Sequence, residues 1–292
     1  MTGDRAAAVR ASGIFESARA AGKCDHACLA YSTKSERDAA AVEWLVEGAR
    51  IGQRLAMVTT DPDGGAELLA ALAAADARVA EQVAAFSHDQ VYDMSKPIDA
   101  DAQLALYAGQ VKRALADGFT GIRVFCDITP LIADPARRAS HAHWEHTADA
   151  WMAEGNPLSA LCAYDVGVVG NQPEAVMVVH PLRHGPATTS TPFGLFCQPS
   201  KTVLGGEVDA FGVRALAEAL EVLPDGPVNL DVSDLSYICA RGAAALAHAG
   251  QVATANRPRI RLTGAPPIVK RIWQVLGFDK DMIPEDASRR LS

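Results

Sequence analysis

Two short and nearly continuous apolar runs constrain the fold of this chain more than any other sequence feature. They are RLAMVTT at residues 54–60 and IRVFCD at residues 122–127. A strand is apolar throughout when both faces of its sheet are covered, as in parallel sheets with helices on each side. Segments of helical periodicity, such as 36–50 and 101–117, lie between the predicted strands. The pattern predicts βαβ crossovers and a mainly parallel α/β sheet.

Other strands and helices alternate along the chain in the same way. In the first 182 residues we expect further strands at 26–31, 83–87, 159–165 and 175–180 and further helices at 66–77 and 135–154. Ser35 is the expected N-cap of helix 36–50. A smaller α/β unit follows, with strands expected at 202–207, 228–232 and 260–263 and helices at 211–222, 241–255 and 267–276.

The composition changes in one segment between these two units. Residues 181–199, PLRHGPATTSTPFGLFCQP, contain four prolines and show no helical period. This predicts a linker, with a first strand of the next domain near Leu195. We therefore expect an N-terminal tail at 1–22, a larger domain at 23–182, a linker at 183–199 and a smaller domain at 200–292, in keeping with the chain length.

Charge and cysteine content argue against several classes of protein. Lys and Arg number 27 against 35 Asp and Glu, so the formal charge is −8, which argues against direct binding of nucleic acid or of anionic lipid. We expect no membrane span and no signal peptide. Six cysteines in a chain of 292 residues predict free thiols rather than a disulfide scaffold. These features indicate a cytoplasmic protein, and the Ala-rich helices allow a homodimer.

The C-terminal unit carries sequence segments of a known family. They are GGEVDAF at 205–211, VNLDVSDLSYI at 228–238 and RLTGAPPIVKRIWQVLGF at 261–278. In order and spacing this unit resembles the STAS domain of bacterial anti-sigma-factor antagonists. The resemblance implies a protein partner such as an anti-sigma factor, contacted through Asp209 and the loop region that contains Ser233, Ser236, Cys239, Ala240 and Arg241.

The loop after the central strand departs from the STAS pattern. Phosphorylatable antagonists have roughly Asp-Ser-Ser-Gly or Asp-Thr-Ser-Gly there, and this chain has Cys239-Ala240-Arg241-Gly242. Ala240 occupies the position of the phosphorylated residue and has no hydroxyl group. Phosphorylation at that position therefore cannot switch partner binding. The unit is either a constitutive binding module or one controlled by the other domain.

The N-terminal unit also carries segments of a known family. They are DHACLAY at 25–31, RLAMVTTD at 54–61, ALADGFTGIRVFCDIT at 114–129, HWEHTADAWM at 143–152, SALCAYD at 159–165 and VMVVHP at 176–181. In this order they resemble the MEDS domain, a sensory domain of methanogen and methylotroph regulators. The resemblance implies a RecA- or KaiC-like α/β fold and the binding of a small hydrocarbon-derived ligand.

Polar residues at strand ends form a candidate ligand site. In an open parallel sheet, ligands bind beyond the carboxyl ends of the strands. Tyr31, Asp127, Asp165 and His180 lie at predicted strand ends, and His26, Glu145 and Tyr164 complete the candidate set. Such groups over an apolar floor suit a small polar or amphipathic ligand. The alternative is that Asp127 and Asp165 cap the turns or helices that follow.

Soft metal ligands alternate in the segment Cys24-Asp25-His26-Ala27-Cys28. On a strand, Cys24, His26 and Cys28 share one face, and thiolate and imidazole suit zinc, copper or haem iron. A metal- or haem-dependent redox sensor is therefore one alternative, with packing or ligand contact through His26 as the simpler interpretation. A second histidine group, His141, His143 and His146, is expected on a solvated face of helix 135–154.

An ATPase is excluded by the loop that follows the first apolar run. This loop reads DPDGGAELL, with Asp61 and Asp63 and no lysine, so it lacks the P-loop that cradles phosphate. Asp127 resembles a Walker B acid, but no other part of the nucleotide site accompanies it. No reaction is identifiable, although an enzyme that uses the strand-end carboxylates remains an alternative. We expect a binding and signalling protein with no catalytic residue and no resident cofactor.

Overall fold

The N-terminal part of the protein is built on one large sheet. The computed structural model describes residues 10–59, 62–170, 174–184, 192–223, 227–251 and 259–283. Seven strands form an all-parallel sheet in the order β1-β7-β2-β6-β5-β3-β4. The strands are β1 (Gly13–Ile14), β2 (His26–Tyr31), β3 (Arg54–Thr59), β4 (Ala84–Ser87), β5 (Ile122–Asp127), β6 (Leu158–Asp165) and β7 (Leu182–His184).

Helices connect these strands and cover both faces of the sheet. They are α1 (Lys34–Arg50), α2 (Pro62–Ala75), α3 (Ala77–Ala80), α4 (His88–Val91), α5 (Ala100–Ala116), α6 (Thr129–Ala133), α7 (Pro135–Ala153), α8 (Val166–Val169) and α9 (Glu174–Val178). The coverage explains why β2 and β5 are buried along their whole length. The predicted fold class, a mainly parallel sheet with helices followed by a smaller α/β domain, is confirmed.

Helix α1 begins at Lys34, two residues earlier than the sequence suggested. Its N-cap is Thr33 rather than Ser35: the Thr33 hydroxyl accepts a hydrogen bond from the backbone N–H of Glu36 at 3.2 Å. The Glu36 carboxylate in turn accepts from the backbone N–H of Thr33 at 3.3 Å. This reciprocal capping box satisfies two backbone donors at once, which a cap at Ser35 does not do.

The segment 175–180 was expected to be a strand, and this expectation is wrong. Residues Glu174–Val178 form helix α9, and the place at the sheet beside β2 is taken by β7. Ala175, Val176, Met177 and Val178 are all buried. A short run that is apolar on every side carries no periodicity, so sequence cannot distinguish a buried strand from a buried helical turn.

Part of the segment expected to be a tail belongs to the folded body. Gly13 and Ile14 form β1 and pair with Leu182 and Arg183 of β7. Arg10 and Phe15 are buried. Pairing of the sheet edge and burial of these side chains order the segment from residue 10 onward. Residues 1–9 of the expected tail lie outside the described residues.

The C-terminal part contains a smaller mixed sheet. Its described strands are β8 (Phe193–Gln198), β9 (Lys201–Val208), β10 (Val228–Asp231), β11 (Leu235–Ile238) and β12 (Ile260–Thr263). The sheet order is β11-β9-β10-β12, with β8 antiparallel to β9 and the other pairs parallel. Helices α10 (Val213–Leu220), α11 (Ala240–Gln251) and α12 (Pro267–Leu276) pack on it.

The segment 181–199 was expected to be a linker, but it contributes strands to both sheets. Strand β7 adds to the large sheet, and the strand expected near Leu195 is β8 of the small sheet. Phe193 and Leu195 are fully buried in a core shared with Val176 and Val178 of α9. The two domains are therefore joined by a continuous apolar core rather than by a free connection.

Some expectations fall on residues that are not described. They concern Thr60 and Asp61, the side chain of Asp63, residues 185–191, the end of helix 241–255 after Gln251, and the C-terminus from residue 284. No described helix combines the length and the apolar character that crossing a membrane requires.

Candidate functional site

A group of fully buried polar side chains lies between the large sheet and helix α7. His26 begins β2, Glu145 lies on α7, and His180 follows α9. The Nε2 atom of His26 is 2.9 Å from Glu145 Oε2, and His180 Nε2 is 3.5 Å from the same oxygen. All three are at most 2% exposed. The sequence prediction that these three residues share a site agrees with where the structure places them.

Two further residues complete what we call the inner cluster, defined as His26, His141, Glu145, Cys162 and His180. His141 Nε2 lies 2.7 Å from Glu145 Oε1, one helical turn away on α7. Cys162 of β6 places its Sγ 3.6 Å from Glu145 Oε2 and 3.7 Å from His26 Nε2. The carboxylate of Glu145 therefore stands at the centre, with three imidazoles and one thiol around it.

The electrostatics of the inner cluster follow from this arrangement. Burial disfavours the charged form of His26, but its contacts with Asp149 and Glu145 outweigh burial and raise its pKa. Burial and the neighbouring His26 lower the pKa of His180. Burial opposes ionisation of Glu145, yet the three surrounding histidines hold its pKa well below the ordinary value. The cluster thus favours an ionised carboxylate at its centre.

Asp149 links the inner cluster to the C-terminal domain. Its Oδ1 lies 3.4 Å from His26 Nδ1 and 2.9 Å from the guanidinium of Arg10. Its Oδ2 accepts a hydrogen bond of 2.7 Å from the backbone N–H of Cys197 in β8. Arg10 also donates to the Cys197 carbonyl at 2.9 Å, and its backbone N–H donates to the Gln198 side chain at 2.9 Å.

A second group, the edge cluster, is defined as Tyr31, Asp127, Thr129 and Asp165 at the carboxyl edge of the large sheet. The Tyr31 hydroxyl donates to Asp127 Oδ2 at 2.9 Å, and the Thr129 hydroxyl donates to Asp127 Oδ1 at 2.6 Å. The Thr129 hydroxyl accepts from the backbone N–H of Asp165 at 3.0 Å. Burial and the neighbouring Asp127 raise the pKa of Tyr31 above its ordinary value.

Two further residues reach the edge cluster. Arg37 of α1 brings positive charge and lies 3.5 Å from Asp127 Oδ2. His88, whose pKa burial lowers, forms a 2.7 Å hydrogen bond with the Asp127 carbonyl. Asp165 accepts from the backbone N–H of Gly167, so it also caps α8, as the alternative interpretation held. Tyr164, which sequence placed in the same site, is buried on the opposite face of the sheet in the core that contains Cys28 and Cys162.

The single site that sequence predicted is therefore divided into two. His26 and Tyr31 are an odd number of residues apart on β2, so their side chains lie on opposite faces of the sheet. The prediction placed both in one site, but His26 is at the beginning of its strand and Tyr31 at the end. His26, Glu145 and His180 fall in the inner cluster, and Tyr31, Asp127 and Asp165 in the edge cluster.

The predicted grouping of Cys24, His26 and Cys28 is also changed. Among the described residues, the group with metal-ligand side chains close together is His26, Glu145, Cys162 and His180. Cys24 precedes the strand, and its carbonyl accepts from Arg10 at 3.0 Å. Cys28 pairs in register with Cys162, which pairs with Cys126, so three cysteines form one row across neighbouring strands.

Of the three α7 histidines expected on a solvated face, His143 is exposed and the other two are not. His141 and His146 are buried, and His143 lies 3.3 Å from the Val222 carbonyl of the C-terminal domain. The two are buried because α7 packs against β8, α5 and α9, and because its Glu145 contacts Cys162 of the large sheet. The signal that sequence offered for His141 was its spacing of four residues from Glu145, which places both on one helix face.

Sequence reasoning missed Arg10, Asp149 and Cys162. Cys162 stands inside an apolar strand, and Asp149 carries no local motif. Arg10 lies in a segment taken as a tail, and its partners are 139 and 188 residues away in the chain. No local pattern can indicate contacts at such separations.

In the C-terminal domain, the predicted partner-binding residues are exposed or half-buried. Asp209 Oδ1 accepts from the backbone N–H groups of Phe211 and Gly212 at 3.0 and 2.9 Å. The backbone N–H of Cys239 donates to the Val208 carbonyl at 2.8 Å, which brings the Asp209 loop beside the start of α11. Ser233, Ser236, Ala240 and Arg241 are exposed, and Asp209 and Cys239 are half-buried.

Comparison with protein families identifies both domains. The family model of the MEDS domain, described as the methanogen/methylotroph, DcmR sensory domain, matches residues 25–181. This is more than half of the 292 residues. The chain belongs to the MEDS family. A second model, described as Mlab, STAS domain, matches residues 198–284 of this MEDS protein. Comparison with curated proteins and with solved structures gave no match.

The order of the two matches confirms the resemblance found from sequence, a MEDS domain followed by a STAS domain. A sensory domain joined to a STAS domain is the composition of a signalling regulator. The STAS match also indicates interaction with another protein. These statements apply to domain type, and the residues that carry the function follow from the geometry described above.

Proposed function

We propose that this protein is a cytoplasmic regulator in which the MEDS domain senses a small ligand and the STAS domain binds a protein partner such as an anti-sigma factor. The observation that carries the proposal is the position of Asp149. One carboxylate contacts His26 of the MEDS domain and the backbone of Cys197 in β8, next to the STAS domain. A change in the MEDS domain can therefore reach the small sheet through direct contacts.

The shared core supports such coupling. Phe193 and Leu195 of β8 pack in the same buried cluster as Val176 and Val178 of α9, and β8 pairs with β9. Strand β9 ends at Val208, directly before the Asp209 loop. A ligand shifts the balance between two domain arrangements only when it binds them with different affinity. The contacts give a continuous route from the MEDS domain to the proposed partner surface.

For the ligand we propose the edge cluster at the carboxyl end of the large sheet. Hydroxyl, carboxylate and guanidinium groups of Tyr31, Asp127, Thr129 and Arg37 converge there. This is the usual position of ligands in open parallel sheets. The same groups suit a small polar or amphipathic molecule, consistent with the small hydrocarbon-derived ligands that the MEDS resemblance implies.

For the partner we propose the region formed by the Asp209 loop and the start of α11. Phe211 is 89% exposed, although an aromatic side chain of this size gains from burial at an interface. Ala240 lies at the position that STAS antagonists phosphorylate, and it cannot accept phosphate. We therefore propose that the MEDS domain controls partner binding in place of phosphorylation. With an anti-sigma factor as the partner, the protein would act in transcription regulation.

Partner binding is tested with the full chain as bait. A protein captured by the wild type is identified by mass spectrometry, and its Kd is then measured by calorimetry for the wild type and for Phe211→Ala and Asp209→Ala. We expect each substitution to weaken binding by about tenfold or more, as for an interface anchor. Val275→Ala, which removes an exposed apolar side chain on α12, is the matched control and should leave Kd unchanged. Equal Kd values for all four proteins would exclude this surface.

Ligand sensing is tested by thermal unfolding against a panel of one- to three-carbon alcohols, aldehydes and halogenated hydrocarbons. A ligand present at 100 times its Kd stabilises the folded state by about 2.7 kcal/mol. We expect one compound to raise the unfolding temperature of the wild type and not that of Tyr31→Phe. A shift that survives in Tyr31→Phe and in Asp127→Asn would mean that the ligand binds outside the edge cluster.

We further propose that the protein acts by binding rather than by catalysis. Burial raises the pKa of the thiols of Cys28, Cys126 and Cys162, which disfavours the nucleophilic thiolate. All six cysteines are free thiols, which supports a reducing compartment. Incubation of the full chain with ATP and magnesium should release no phosphate above a buffer blank, and measurable turnover would overturn this part of the proposal.

A further inference from the structure

The inner cluster contains the donor atoms of a four-coordinate metal site. His26, Glu145, Cys162 and His180 each offer one ligand atom, and these atoms all lie within 4.8 Å of one another. Two imidazole nitrogens, one carboxylate oxygen and one thiol sulfur are donors that Zn²⁺ accepts in proteins. We propose that these four side chains bind one zinc ion, at a site independent of the ligand and the partner proposed above.

Three of the six separations between donor atoms agree with those of a coordination tetrahedron, and all six are at most 4.8 Å. From the usual zinc bond lengths, about 2.3 Å to sulfur and about 2.0–2.2 Å to nitrogen or oxygen, the donor atoms of a tetrahedral site lie about 3.4–3.6 Å apart. Cys162 Sγ is 3.7 Å from His26 Nε2 and 3.6 Å from Glu145 Oε2. His180 Nε2 is 3.5 Å from Glu145 Oε2. The His26–Glu145 separation of 2.9 Å is shorter and needs a small side-chain adjustment.

His180 provides an independent observation that points to a ligand. Its Nδ1 is 2.8 Å from the Val176 carbonyl, an acceptor, so Nδ1 carries the proton in the neutral ring. The lone pair of Nε2 then faces the carboxylate of Glu145, and this buried atom has no hydrogen-bond partner. Two lone pairs that face each other inside a protein repel unless a cation lies between them. A metal ion at this position satisfies both atoms.

Charged and polar groups also stand behind the proposed ligands. A metal-bound histidine commonly donates its other ring N–H to a carboxylate. His26 presents Nε2 to the cluster and Nδ1 to Asp149 Oδ1, 3.4 Å away. His141 lies 2.7 Å from Glu145 Oε1, the carboxylate oxygen that the proposed ion does not use. Neither contact has hydrogen-bond geometry in this structure, so both are electrostatic contacts within reach of the outer hydrogen bonds that metal ligands usually have.

Charge balance also favours a divalent ion. Zinc displaces the proton of the Cys162 thiol on binding. The ionised Glu145 and the resulting Cys162 thiolate then contribute two negative charges, and neutral His26 and His180 contribute none. Zn²⁺ makes the total zero, which suits a position where each of the four side chains is at most 5% exposed. With four protein donors the coordination sphere is closed, as in zinc sites that stabilise a fold. The ion would fix β2, β6, α7 and His180, the second residue after α9, to one another.

The first experiment is metal analysis of the full chain, expressed with added zinc and purified without chelator. We expect about one zinc ion per chain, as a closed four-ligand site binds a single ion. Cys162→Ala should lose most of the metal. Cys126→Ala is the matched control because Cys126 is equally buried on the neighbouring strand, in the same row, and should keep the metal. Folding of each variant is checked by circular dichroism.

Cobalt substitution identifies the ligands directly. Co²⁺ added to the chelator-treated wild type should give the visible bands of tetrahedral cobalt and a thiolate-to-cobalt charge-transfer band in the near ultraviolet. Should Cys162→Ala fail to fold, this spectrum still reports on a thiolate ligand in the wild type, and His180→Gln serves as the second variant. Refilling with zinc should restore the unfolding temperature that chelation lowers.

Three results would overturn the proposal. They are a wild type that holds no zinc and gives no cobalt spectrum at excess metal, a cobalt spectrum without a thiolate band, and a folded Cys162→Ala that retains as much metal as Cys126→Ala. The first excludes a site, the second excludes Cys162 as a ligand, and the third locates the ion elsewhere.

Discussion

The two domains differ in where they place polar and apolar side chains. Among the described residues, buried polar or charged side chains are found almost entirely in the MEDS domain and the segment before it, and the one buried in the STAS domain is Gln198, which binds Arg10. Both domains expose apolar side chains, and the STAS domain does so over a shorter sequence. In the STAS domain these are Phe211, Tyr237, Ile268, Val275 and Leu276, and in the MEDS domain they are Phe86, Leu106, Leu115 and Val168.

This difference indicates how the two domains can divide their roles. A buried charge costs free energy unless it is paired, so a domain that keeps several of them depends on each contact being made. The MEDS domain therefore responds strongly to a change at one of its polar groups. An exposed apolar side chain costs little by itself and gains free energy only when a partner covers it. Matched substitutions in the two domains test this division of roles.

Removal of one carboxylate from each domain should give the largest contrast. Asp149→Ala leaves Arg10 and His26 buried without their partner, and we expect a loss of about 3–5 kcal/mol in the free energy of unfolding. Asp231→Ala removes a pair with Lys201, which is 48% exposed, and should cost less than about 1 kcal/mol. Urea unfolding of both variants checks this. Equal losses in the free energy of unfolding would show that the two domains do not differ in how strongly they depend on one carboxylate.

Leucine truncation tests the core that joins the domains. Leu195→Ala in β8 should destabilise the protein by about 3 kcal/mol, within the range for a fully buried leucine. Leu276→Ala on α12 is the control because that side chain is 40% exposed, and its cost should stay below about 1 kcal/mol. Calorimetry of Leu195→Ala should also show two separated unfolding transitions where the wild type shows one. A single transition in Leu195→Ala would mean that other contacts suffice to couple the domains.

Thiol labelling compares three buried cysteines with the half-buried Cys239 without any substitution. Burial raises the pKa of the Cys28, Cys126 and Cys197 thiols, whereas Cys239 is half-buried at the start of α11. We expect iodoacetamide to label Cys239 in the native chain more than about tenfold faster than those three, because only the thiolate reacts. Mass spectrometry of peptides measures each rate. Fast labelling of Cys28 in the native state would contradict the buried row of cysteines.

The smallest expected effect concerns acid stability in the STAS domain. Burial opposes ionisation of Asp231, but Lys201 and the Ser233 contacts outweigh it and lower its pKa. The pKa of an Asp in the unfolded state is about 3.9 and lies above the folded pKa of Asp231. Between these two pKa values the unfolded state binds more protons than the folded state. The free energy of unfolding therefore falls as the pH falls through the folded pKa. Because Lys201 is half-exposed and solvent screens the pair, we expect an effect of less than about 1 kcal/mol.

The measurement is the urea midpoint of the wild type and of Asp231→Asn between pH 6 and pH 2. The difference between them should be present near pH 6 and should shrink as the pH falls. A constant difference across that range would show that Asp231 titrates alike in the folded and unfolded states.

The candidate site could be predicted only in part. His26, Glu145 and His180 could be selected from sequence because the MEDS-like segments contain them, and the structure brings them together. Tyr31 and Asp127 also lie in one group, as expected, but that group is separate from the first. The sequence could not show the division, since it depends on which end of β2 each residue occupies and on which face each side chain lies.

The sequence by itself determined the parallel α/β architecture, because apolar runs of strand length separated by helical periodicity allow few other folds. It also determined the order of the two domains and the absence of a hydroxyl at Ala240. The tertiary structure alone decided that Arg10, Asp149 and Cys162 belong to the buried polar network. It also decided that residues 175–178 are helical and that β8 joins the two cores. The physical reason is that these contacts join segments far apart in the chain, whereas sequence patterns report only on neighbouring residues.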